Sequence, residues 1–208
     1  MVSNINLKIE DDLEIALKAS KKAGDIIMKY YKHDYEINEK GYHNPVTTAD
    51  KEADSFLKNT LLDARPDYGW LSEETIDSTS RLSKERVWIV DPLDGTKEFI
   101  KRNGEFTVNI ALIYKGNPIM GVIYVPVKED LYFSLEGIGS YKKSNCNECI
   151  DNVEDLISES ISLPIFSNPK VLRIGAIPDQ NQDILDKRFD LFSKELSKQL
   201  NVEVKYIP

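Results

Sequence analysis

Residues 107–127 read TVNIALIYKGNPIMGVIYVPV, in which two runs rich in branched and aromatic side chains stand on either side of the polar stretch 115–118. Branched and aromatic residues favour strands, and a short segment containing glycine, asparagine and proline favours a tight turn. The pattern therefore predicts a β-hairpin whose strands are Thr107–Tyr114 and Ile119–Val127. Further strand-like segments extend this antiparallel sheet downstream, at Leu131–Leu135 and near Tyr141.

Two helical patterns precede the sheet. Apolar residues recur at helical spacing from about residue 10 to residue 32, which predicts a long amphipathic helix. The polar segment 34–43 is predicted to be a loop. A second helix is predicted to begin after a threonine cap at Thr47 or Thr48 and to end before Pro66. Two helices followed by consecutive hairpin strands predict a layered α+β fold with an antiparallel sheet.

A different pattern follows the sheet. Val171–Ala176 and Val202–Tyr206 are typical of strands, and apolar residues at helical spacing lie between them, over 185–200. Strand, helix and strand form an α/β unit, but a sheet of that class normally needs helices on both faces. The sequence therefore predicts two domains: an α+β domain over 1–160 and the incomplete start of an α/β domain over 161–208.

Composition limits the classes of partner. The chain has 208 residues, with 35 acidic and 27 basic side chains and a net charge of −8. Nucleic acid polymers and anionic membranes are bound by basic surfaces, so the acidic balance argues against both. A small phosphorylated substrate is compatible with it, because a bound metal ion can reverse the field locally. No stretch is long and apolar enough to cross a bilayer, and no secretory signal is recognisable, so the cytoplasm is the expected location. Nothing in the sequence indicates an oligomeric state.

The two cysteines, Cys146 and Cys149, are spaced as C-x-x-C. Such a pair is half of a zinc site or a redox motif, or simply two reduced cysteines in a polar loop. Two reduced cysteines in a polar loop are the favoured interpretation, because a structural zinc site needs four ligands and the chain has no second pair.

An acidic hexapeptide, Asp91–Thr96, follows the continuous apolar run Val87–Val90, which is typical of a strand buried on both faces. Its proline and glycine allow a turn that places Asp91, Asp94 and the carbonyl of Leu93 around one point. Hard oxygen ligands of this kind suit magnesium. A strand-ending turn explains the hexapeptide equally well, since aspartate, proline and glycine all form turns.

Two more acidic positions lie at the ends of regular elements. Glu73 and Glu74 follow the strand-like pair Trp70–Leu71, and Asp50 lies in the first turn of the second helix. Each alone is explained by a solvated loop or by a favourable interaction with the helix dipole. Together with the hexapeptide they make three acidic positions that a layered fold can bring together.

These segments resemble the signatures of the inositol-monophosphatase superfamily. Leu71–Glu74 and Trp88–Thr96 resemble its metal-site motif, and Asn44–Asp50 resembles its upstream motif. The stretch Gly95–Leu112 is similar to the form typical of bacterial 3'(2'),5'-bisphosphate nucleotidases, whereas inositol-specific members usually carry a different residue where Lys97 stands. The resemblance implies a sugar-phosphatase-like layered α/β sandwich and a phosphomonoesterase that uses two or three Mg²⁺ ions.

The resemblance also implies which residues of the 1–160 domain hold the metal. Glu73, Asp91 and the carbonyl of Leu93 would hold one magnesium ion, and Asp91 and Asp94 would hold a second. Glu74 is implied as a catalytic residue that supports the outer shell or a further metal.

Matching positions imply the remaining roles. Asp50 and Thr96 would orient and deprotonate the attacking water, and the backbone of Gly95 and Thr96 would hold the phosphate. Lys97 is implied at the second phosphate of the substrate, although a salt-bridged surface lysine explains it equally well.

One departure from the family pattern concerns the C-terminal side. Family members carry a Gly-Ser-large-Lys segment and then a Trp-Asp pair whose aspartate completes the second metal site, and neither is present in these 208 residues. The chain is therefore expected to be C-terminally truncated and weakly active or inactive by itself.

The expected reaction is hydrolysis of the 3'-phosphate of adenosine 3',5'-bisphosphate to AMP and phosphate. The rival hypotheses are an inositol-phosphate or sugar-bisphosphate phosphatase and a non-catalytic metal- or nucleotide-binding remnant.

Overall fold

The computed structural model describes the backbone of residues 2–41, 44–146, 153–163, 171–175 and 203–207. The chain divides into two compact units, Met1–Leu163 and Pro164–Pro208. No described helix combines the length and the apolar character that a membrane crossing requires.

The first helix, α1, spans Val2–Tyr31 and begins earlier than the predicted start near residue 10. Ile9 lies one turn before Leu13 and is also buried, so the apolar stripe continues upstream of the segment whose periodicity is plain. At the other end, the guanidinium of Arg102 donates to the carbonyls of Tyr30 and His33, at 3.4 and 2.8 Å. The arginine thus adds a donor to the Tyr30 carbonyl, which also accepts from the His33 N–H, and holds a carbonyl just beyond the end of the helix.

The predicted loop at 34–43 is wrong, because a short strand lies there. β1 (Ile37–Gly41) pairs antiparallel with β2 (Asn44–Thr47) in a separate two-stranded sheet. The segment has few apolar residues, and neither strand shows the alternation by which a half-buried strand is recognised.

The second helix, α2, spans Thr48–Ala64 and confirms the predicted threonine cap. Thr47 Oγ1 accepts from the Ala49 N–H at 3.2 Å, and the Thr47 N–H donates to Asp50 Oδ2 at 2.7 Å. The reciprocal arrangement is a capping box, which fixes both the start of the helix and the carboxylate of Asp50.

Within the described residues, seven strands form the main sheet in chain order, β3 to β9, and all neighbours are antiparallel except β3 and β4, which are parallel. The strands are β3 (Gly69–Ser72), β4 (Arg86–Asp94), β5 (Thr107–Tyr114), β6 (Asn117–Val125), β7 (Asp130–Leu135), β8 (Gly139–Lys143) and β9 (Ile161–Ser162). A short helix, α3 (Thr96–Ile100), follows β4.

A 3-10 helix at Thr79–Ser83 lies beside the outermost strand, β3. A Cβ built on Gly69 would lie 3.0 Å from Cβ of Arg81 and 3.2 Å from its Cα. The glycine therefore allows this close approach of the 3-10 helix to β3.

The core lies between the two long helices and one face of the sheet. α1 packs against β5 and β6, and α2 packs against α1 and β4. The predicted α+β layered fold, with two N-terminal helices on a mostly antiparallel sheet, is confirmed. The largest fully buried side chains include Trp88, Phe99, Phe106, Leu17, Leu57 and Leu112.

Two details of β4 differ from the prediction. Trp88 and Val90 are buried, whereas Ile89 is 39% exposed, so the strand is buried on one face rather than on both. The strand also continues to Asp94, so Asp91 lies within it instead of following it. An apolar run of four residues does not show whether one face or both are covered, because every residue of the run is apolar whichever face it lies on.

Between the last strands the chain forms another helix, α4 (Val153–Glu159), which the sequence did not predict. Cys146 precedes it, and its side chain is 5% exposed and belongs to the core rather than to a polar loop. Burial raises the pKa of this free thiol, which is the property of an inert structural cysteine. Cys149 lies outside the described residues.

In the second unit, β10 (Val171–Gly175) pairs parallel with β11 (Glu203–Ile207). Both strands were predicted, and their parallel pairing is typical of a β-α-β unit. The predicted helix at 185–200 lies outside the described residues.

A buried ionic network joins α1 to the start of β4. Asp12 is 0% exposed, and its carboxylate accepts from Arg65 Nε at 2.6 Å, Arg86 Nη1 at 2.7 Å and Tyr68 Oη at 2.8 Å. The neighbouring carboxylate and burial raise the pKa of Tyr68 to about 12, with burial as the larger cause. The phenol therefore stays a hydrogen-bond donor at any physiological pH.

Replacing Asp12 by alanine is expected to destabilise the protein strongly, because two guanidinium groups lose their buried partner. Breaking a buried ion pair in this way costs about 3–5 kcal/mol. Urea denaturation followed by tryptophan fluorescence measures the change. Asp77→Ala removes the exposed partner of Arg81 and serves as the control, because an exposed ion pair contributes little to stability. An Asp12→Ala loss as small as that of the control would contradict the network's contribution.

Candidate active site

The parallel pairing of β3 with β4 brings two acidic segments to one edge of the sheet. Ser72 is opposite Val90 in the register, and the Glu73 N–H donates to the Val90 carbonyl at 3.3 Å. Because the two strands run in the same direction, Glu73, which follows β3, and Asp91, which follows Val90 within β4, lie side by side. The sequence placed both residues after apolar runs but did not reveal that the runs are neighbours.

Asp91 is a partly buried carboxyl with a raised pKa. Burial, followed by the charges of Glu73 and Asp94, raises the pKa of Asp91 to about 7. Its Oδ1 atom is buried and has no hydrogen-bond partner. A buried carboxylate oxygen without a donor is costly, so this atom is suited to a cation.

Asp94 lies three residues further along β4, beyond an irregularity in the pairing with β5. Its side chain is exposed at the protein surface, and its Oδ2 accepts from Asn109 Nδ2 at 3.1 Å. Asn109 is oriented in turn by Thr107, whose hydroxyl lies 3.0 Å from Asn109 Oδ1. The sequence analysis missed Asn109, although its position on the predicted strand after the acidic hexapeptide was a usable signal.

Gly95 turns the chain from β4 into α3. Its φ of +91° lies in the left-handed region, and it precedes the first residue of the helix. A Cβ at this position would lie 2.6 Å from the carbonyl oxygen of Glu105. Both the backbone angle and the close approach therefore require glycine here.

Replacing Gly95 by alanine is expected to destabilise the protein by about 1–3 kcal/mol and to displace the turn, because a backbone carbonyl cannot move away as a side chain can. Gly116→Ala is a matched control: its φ is +85°, but nothing lies within 4 Å of an added Cβ. Thermal denaturation of both variants separates the cost of the backbone angle from the cost of the clash. Equal losses would show that the contact with Glu105 is unimportant.

Asp50 reaches the same edge from the first turn of α2. Its Oδ1 lies 2.9 Å from Thr96 Oγ1, and that hydroxyl also lies 3.1 Å from the Leu93 carbonyl oxygen. Asp50 is 1% exposed, and burial raises its pKa, opposed by the hydrogen bonds from Thr47 and Thr96. The structure thus joins Asp50, Thr96 and the Leu93 carbonyl in one hydrogen-bonded group.

The two remaining candidate side chains lie nearby in sequence and structure. Glu74 is partly buried, and its N–H donates to Ser72 Oγ at 3.3 Å. Lys97 lies in the first turn of α3 and is partly exposed.

The donors available for a metal ion are carboxylate and carbonyl oxygens, which is the set that magnesium prefers. Within the residues that the structure describes, no group of three or more His, Cys, Asp or Glu side chains is arranged to hold a metal ion. The convergence of Glu73, Asp91 and Asp94 on one point therefore stays a prediction. The unpartnered Asp91 Oδ1, in a carboxyl group whose pKa is raised by burial and by the charges of Glu73 and Asp94, fits a nearby cation.

Comparison with known proteins defines the class. The inositol monophosphatase family profile matches residues 8–188, and the chain belongs to that family. The crystal structure of CysQ from Bacteroides thetaiotaomicron, a bacterial member of the family, superposes with a TM-score of 0.68 at 35% identity, over 97% of this chain and 73% of that one.

Within the family, the chain is related to the CysQ phosphatases. It is 47% identical over 128 residues to the 3'(2'),5'-bisphosphate nucleotidase CysQ of Salmonella typhimurium, which is 60% of this chain and 52% of that protein. The chain thus spans about half the length of the curated nucleotidases it matches.

A different protein matches a shorter stretch more closely. The probable ABC transporter phosphite binding protein PhnD1 of Prochlorococcus marinus is 77% identical over 53 residues, which are 26% of this chain and 18% of that protein. A quarter of the chain is therefore similar to a protein that its name describes as a binding protein, not a phosphatase.

Proposed function

We propose that this chain carries the N-terminal part of a magnesium-dependent phosphomonoesterase that hydrolyses the 3'-phosphate of adenosine 3',5'-bisphosphate to AMP and phosphate. The observation that carries the proposal is the buried Asp91 Oδ1, which has no hydrogen-bond donor and lies beside Glu73 and Asp94 at one sheet edge. In a family of phosphatases, a buried carboxylate oxygen that lacks a donor and lies beside two further carboxyl groups is most simply explained by a cation.

The residues that would hold magnesium are Glu73, Asp91, Asp94 and the Leu93 carbonyl, with two or three ions and Glu74 in a supporting position. Bound magnesium supplies a nucleophilic water at neutral pH and stabilises charge on phosphate oxygens. The clustered acidic side chains provide the anionic environment that such ions require.

The chain's own residues have separate roles in the proposed reaction. Asp50 accepts a hydrogen bond from Thr96, so the pair is suited to orienting the attacking water and taking its proton. The raised pKa of Asp50 makes it a better proton acceptor than an ordinary aspartate. The backbone amides of Gly95 and Thr96 are proposed to hold the phosphate, and Lys97 is proposed at the second phosphate of the nucleotide.

The substrate is proposed from two supports. The curated relatives at 46–47% identity are named 3'(2'),5'-bisphosphate nucleotidases, and the Gly95–Leu112 segment resembles theirs. An inositol phosphate or a sugar bisphosphate is the alternative substrate class within the same family. A cytoplasmic location stays a prediction.

For the chain's organisation we propose a metal-binding α+β domain over 1–160 and the start of an α/β domain over 161–208. The second part has two candidate origins: the family's own C-terminal domain, or a protein similar to the phosphite binding protein. The signature motifs lie within 44–112, and only 43 residues precede them, too few for a 53-residue match. If the 53-residue match to PhnD1 does not overlap the signature motifs, it lies after residue 112. The parallel β10–β11 pair supports an α/β segment in that part of the chain.

Reading the gene onward from the codon of Pro208 distinguishes the two origins. A continuation with the Trp-Asp pair supports the family's own domain, whereas a continuation similar to PhnD1 supports a phosphite-binding segment. The latter result favours the hypothesis that this chain is a non-catalytic phosphatase remnant joined to a second protein.

The proposed activity is tested with the 208-residue chain, after its mass has been confirmed. Phosphate release is measured with adenosine 3',5'-bisphosphate, inositol 1-phosphate and fructose 1,6-bisphosphate, each with Mg²⁺ and with EDTA. We expect slow Mg²⁺-dependent release that is fastest for the nucleotide. Release that is indifferent to EDTA, or a preference for either other substrate, would contradict the proposal.

A further inference from the structure

Asp54 lies on α2, four residues after Asp50, and is 7% exposed. Residues four apart share one face of a helix, so both aspartates face the sheet edge that carries the acidic segments. The motifs discussed above include Asp50 but not Asp54. We propose that Asp54 is a positioning residue that fixes the Ser72–Thr75 segment and thereby orients Glu73 and Glu74, the proposed metal ligand and its neighbour.

The carboxylate of Asp54 holds the segment at both ends. Ser72 Oγ donates to Asp54 Oδ1, and Thr75 Oγ1 donates to Asp54 Oδ2 at 2.7 Å. Glu73 and Glu74 are the two residues between these hydroxyls. A single carboxylate therefore accepts hydrogen bonds from the residues immediately before and immediately after the two glutamates.

The backbone of the glutamates is tied into the same arrangement. Ser72 Oγ accepts from the Glu74 N–H at 3.3 Å while its own hydrogen is directed to Asp54. The Glu73 N–H is held by the Val90 carbonyl on β4. Asp54 thus orients the serine hydroxyl, the hydroxyl orients Glu74, and the strand pairing orients Glu73.

Fixing this segment has a consequence for metal affinity. Residues 73–75 are bends without regular hydrogen bonding, and Glu73 is exposed. A carboxylate on such a segment loses more freedom on binding a cation unless the segment is already held. Partners that orient ligating carboxylates typically change metal affinity by about 10–100-fold when they are removed. This inference rests on the proposed function, because it assigns Glu73 to a metal site.

The test uses Mn²⁺ as the probe, because free Mn²⁺ is measured directly by electron paramagnetic resonance. Thr75→Val removes one hydroxyl that donates to buried Asp54, and Asp54→Ala removes the acceptor of both hydroxyl groups. The matched control is Tyr68→Phe, which removes one hydroxyl that donates to buried Asp12 at 2.8 Å. That network lies at the start of β4 and the end of α2, away from the edge where Glu73 and Asp91 lie.

We expect Mn²⁺ binding to weaken about 10–100-fold in Asp54→Ala, to weaken by a smaller factor in Thr75→Val, and to stay within about 3-fold of the parent in Tyr68→Phe. Hydrogen exchange of the metal-free proteins is the second readout. The amides of Glu73 and Glu74 are expected to exchange about 10-fold faster in Asp54→Ala, while amides of β5 and β6 keep their rates.

The outcomes separate this inference from the proposed function. A parent chain that does not retain Mn²⁺ contradicts the proposed metal site, and the ligand-positioning role of Asp54 falls with it. If the parent binds Mn²⁺ and Asp54→Ala binds it equally tightly, the proposed role of Asp54 is overturned while the proposed metal site stands. Amide hydrogen exchange that is faster at all positions of Asp54→Ala, and equally fast in Tyr68→Phe, would show that Asp54 only stabilises the fold. This result would also overturn the proposal.

Discussion

The Asp91→Asn variant is expected to lose Mg²⁺-dependent phosphate release by about 10²–10³-fold and to lose stabilisation by the metal. Asparagine keeps the shape of the side chain but removes the negative charge that lies between Glu73 and Asp94. A proposed ligand to two ions carries more of the charge balance than either neighbour. The measurements are phosphate release at saturating Mg²⁺ and the melting temperature with Mg²⁺ against EDTA.

In EDTA the same variant is expected to be more stable than the parent at neutral pH. The pKa of Asp91 is raised to about 7, whereas an aspartate in an unfolded chain titrates near 3.9. Between about pH 4 and pH 7 the folded protein therefore binds a proton that the unfolded chain has lost, and stability falls as the pH rises through this window. Asparagine does not titrate, so the Asp91→Asn variant should lack this fall of stability with pH.

Asp77→Asn is the control for this prediction, because it makes the same change of charge at an exposed carboxylate paired with Arg81. Its pH dependence in EDTA should follow the parent over the window from pH 4 to pH 7. Near-normal turnover of Asp91→Asn at saturating Mg²⁺ would show that Asp91 does not bridge two ions. An unchanged pH slope would show that burial and the charges of Glu73 and Asp94 do not raise the pKa of Asp91.

The second large effect is expected from a chimera that joins residues 1–163 to the C-terminal half of a CysQ relative. The 208 residues contain no Trp-Asp pair, from which the family resemblance expects a further aspartate ligand. A two-metal clamp that lacks one anionic ligand stabilises less of the developing charge, which typically costs about 10²–10³ in rate. The chimera should therefore release phosphate at least 100-fold faster than the 208-residue chain.

The comparison needs one further sample. A chimera that carries Asp91→Asn should be inactive, which shows that any gain depends on the acidic edge of this chain and not on the added half. Equal turnover by the 208-residue chain and the chimera would mean that the described carboxylates suffice, and the expected second metal site would have to be placed elsewhere.

Local patterns accounted for much of the fold. The hairpin of β5 and β6 was predictable because the alternation and the turn residues lie within about 20 consecutive positions. The start of α2 was predictable for the same reason, since Thr47 and its partner Asp50 are three residues apart. The short strands β1 and β2 contain few apolar residues, so no alternation of apolar and polar residues indicated a strand there.

The arrangement of the site was less accessible from sequence. Glu73, Asp91 and Asp50 were each predicted as candidates, but only the parallel register of β3 and β4 shows that Glu73 and Asp91 are neighbours. Register between strands depends on long-range packing, which a single sequence does not encode in any local pattern. The spacing of four between Asp50 and Asp54 could have indicated that both lie on one face of the helix. The hydrogen-bond partners of Asp54, however, are Ser72 and Thr75, which lie far away in sequence.

The position of β3 at the border of the sheet bears on how this protein behaves at high concentration. A border strand exposes unpaired N–H and C=O groups that can recruit a strand from another molecule and begin aggregation. Here β3 is only four residues long, and the 3-10 helix at Thr79–Ser83 lies against it with Gly69 allowing the close approach. The opposite border strand, β9, has two residues. Short strands at both borders, and the cover over β3, leave little backbone on which a second chain can add, and this protects the strand that leads into Glu73 from intermolecular pairing.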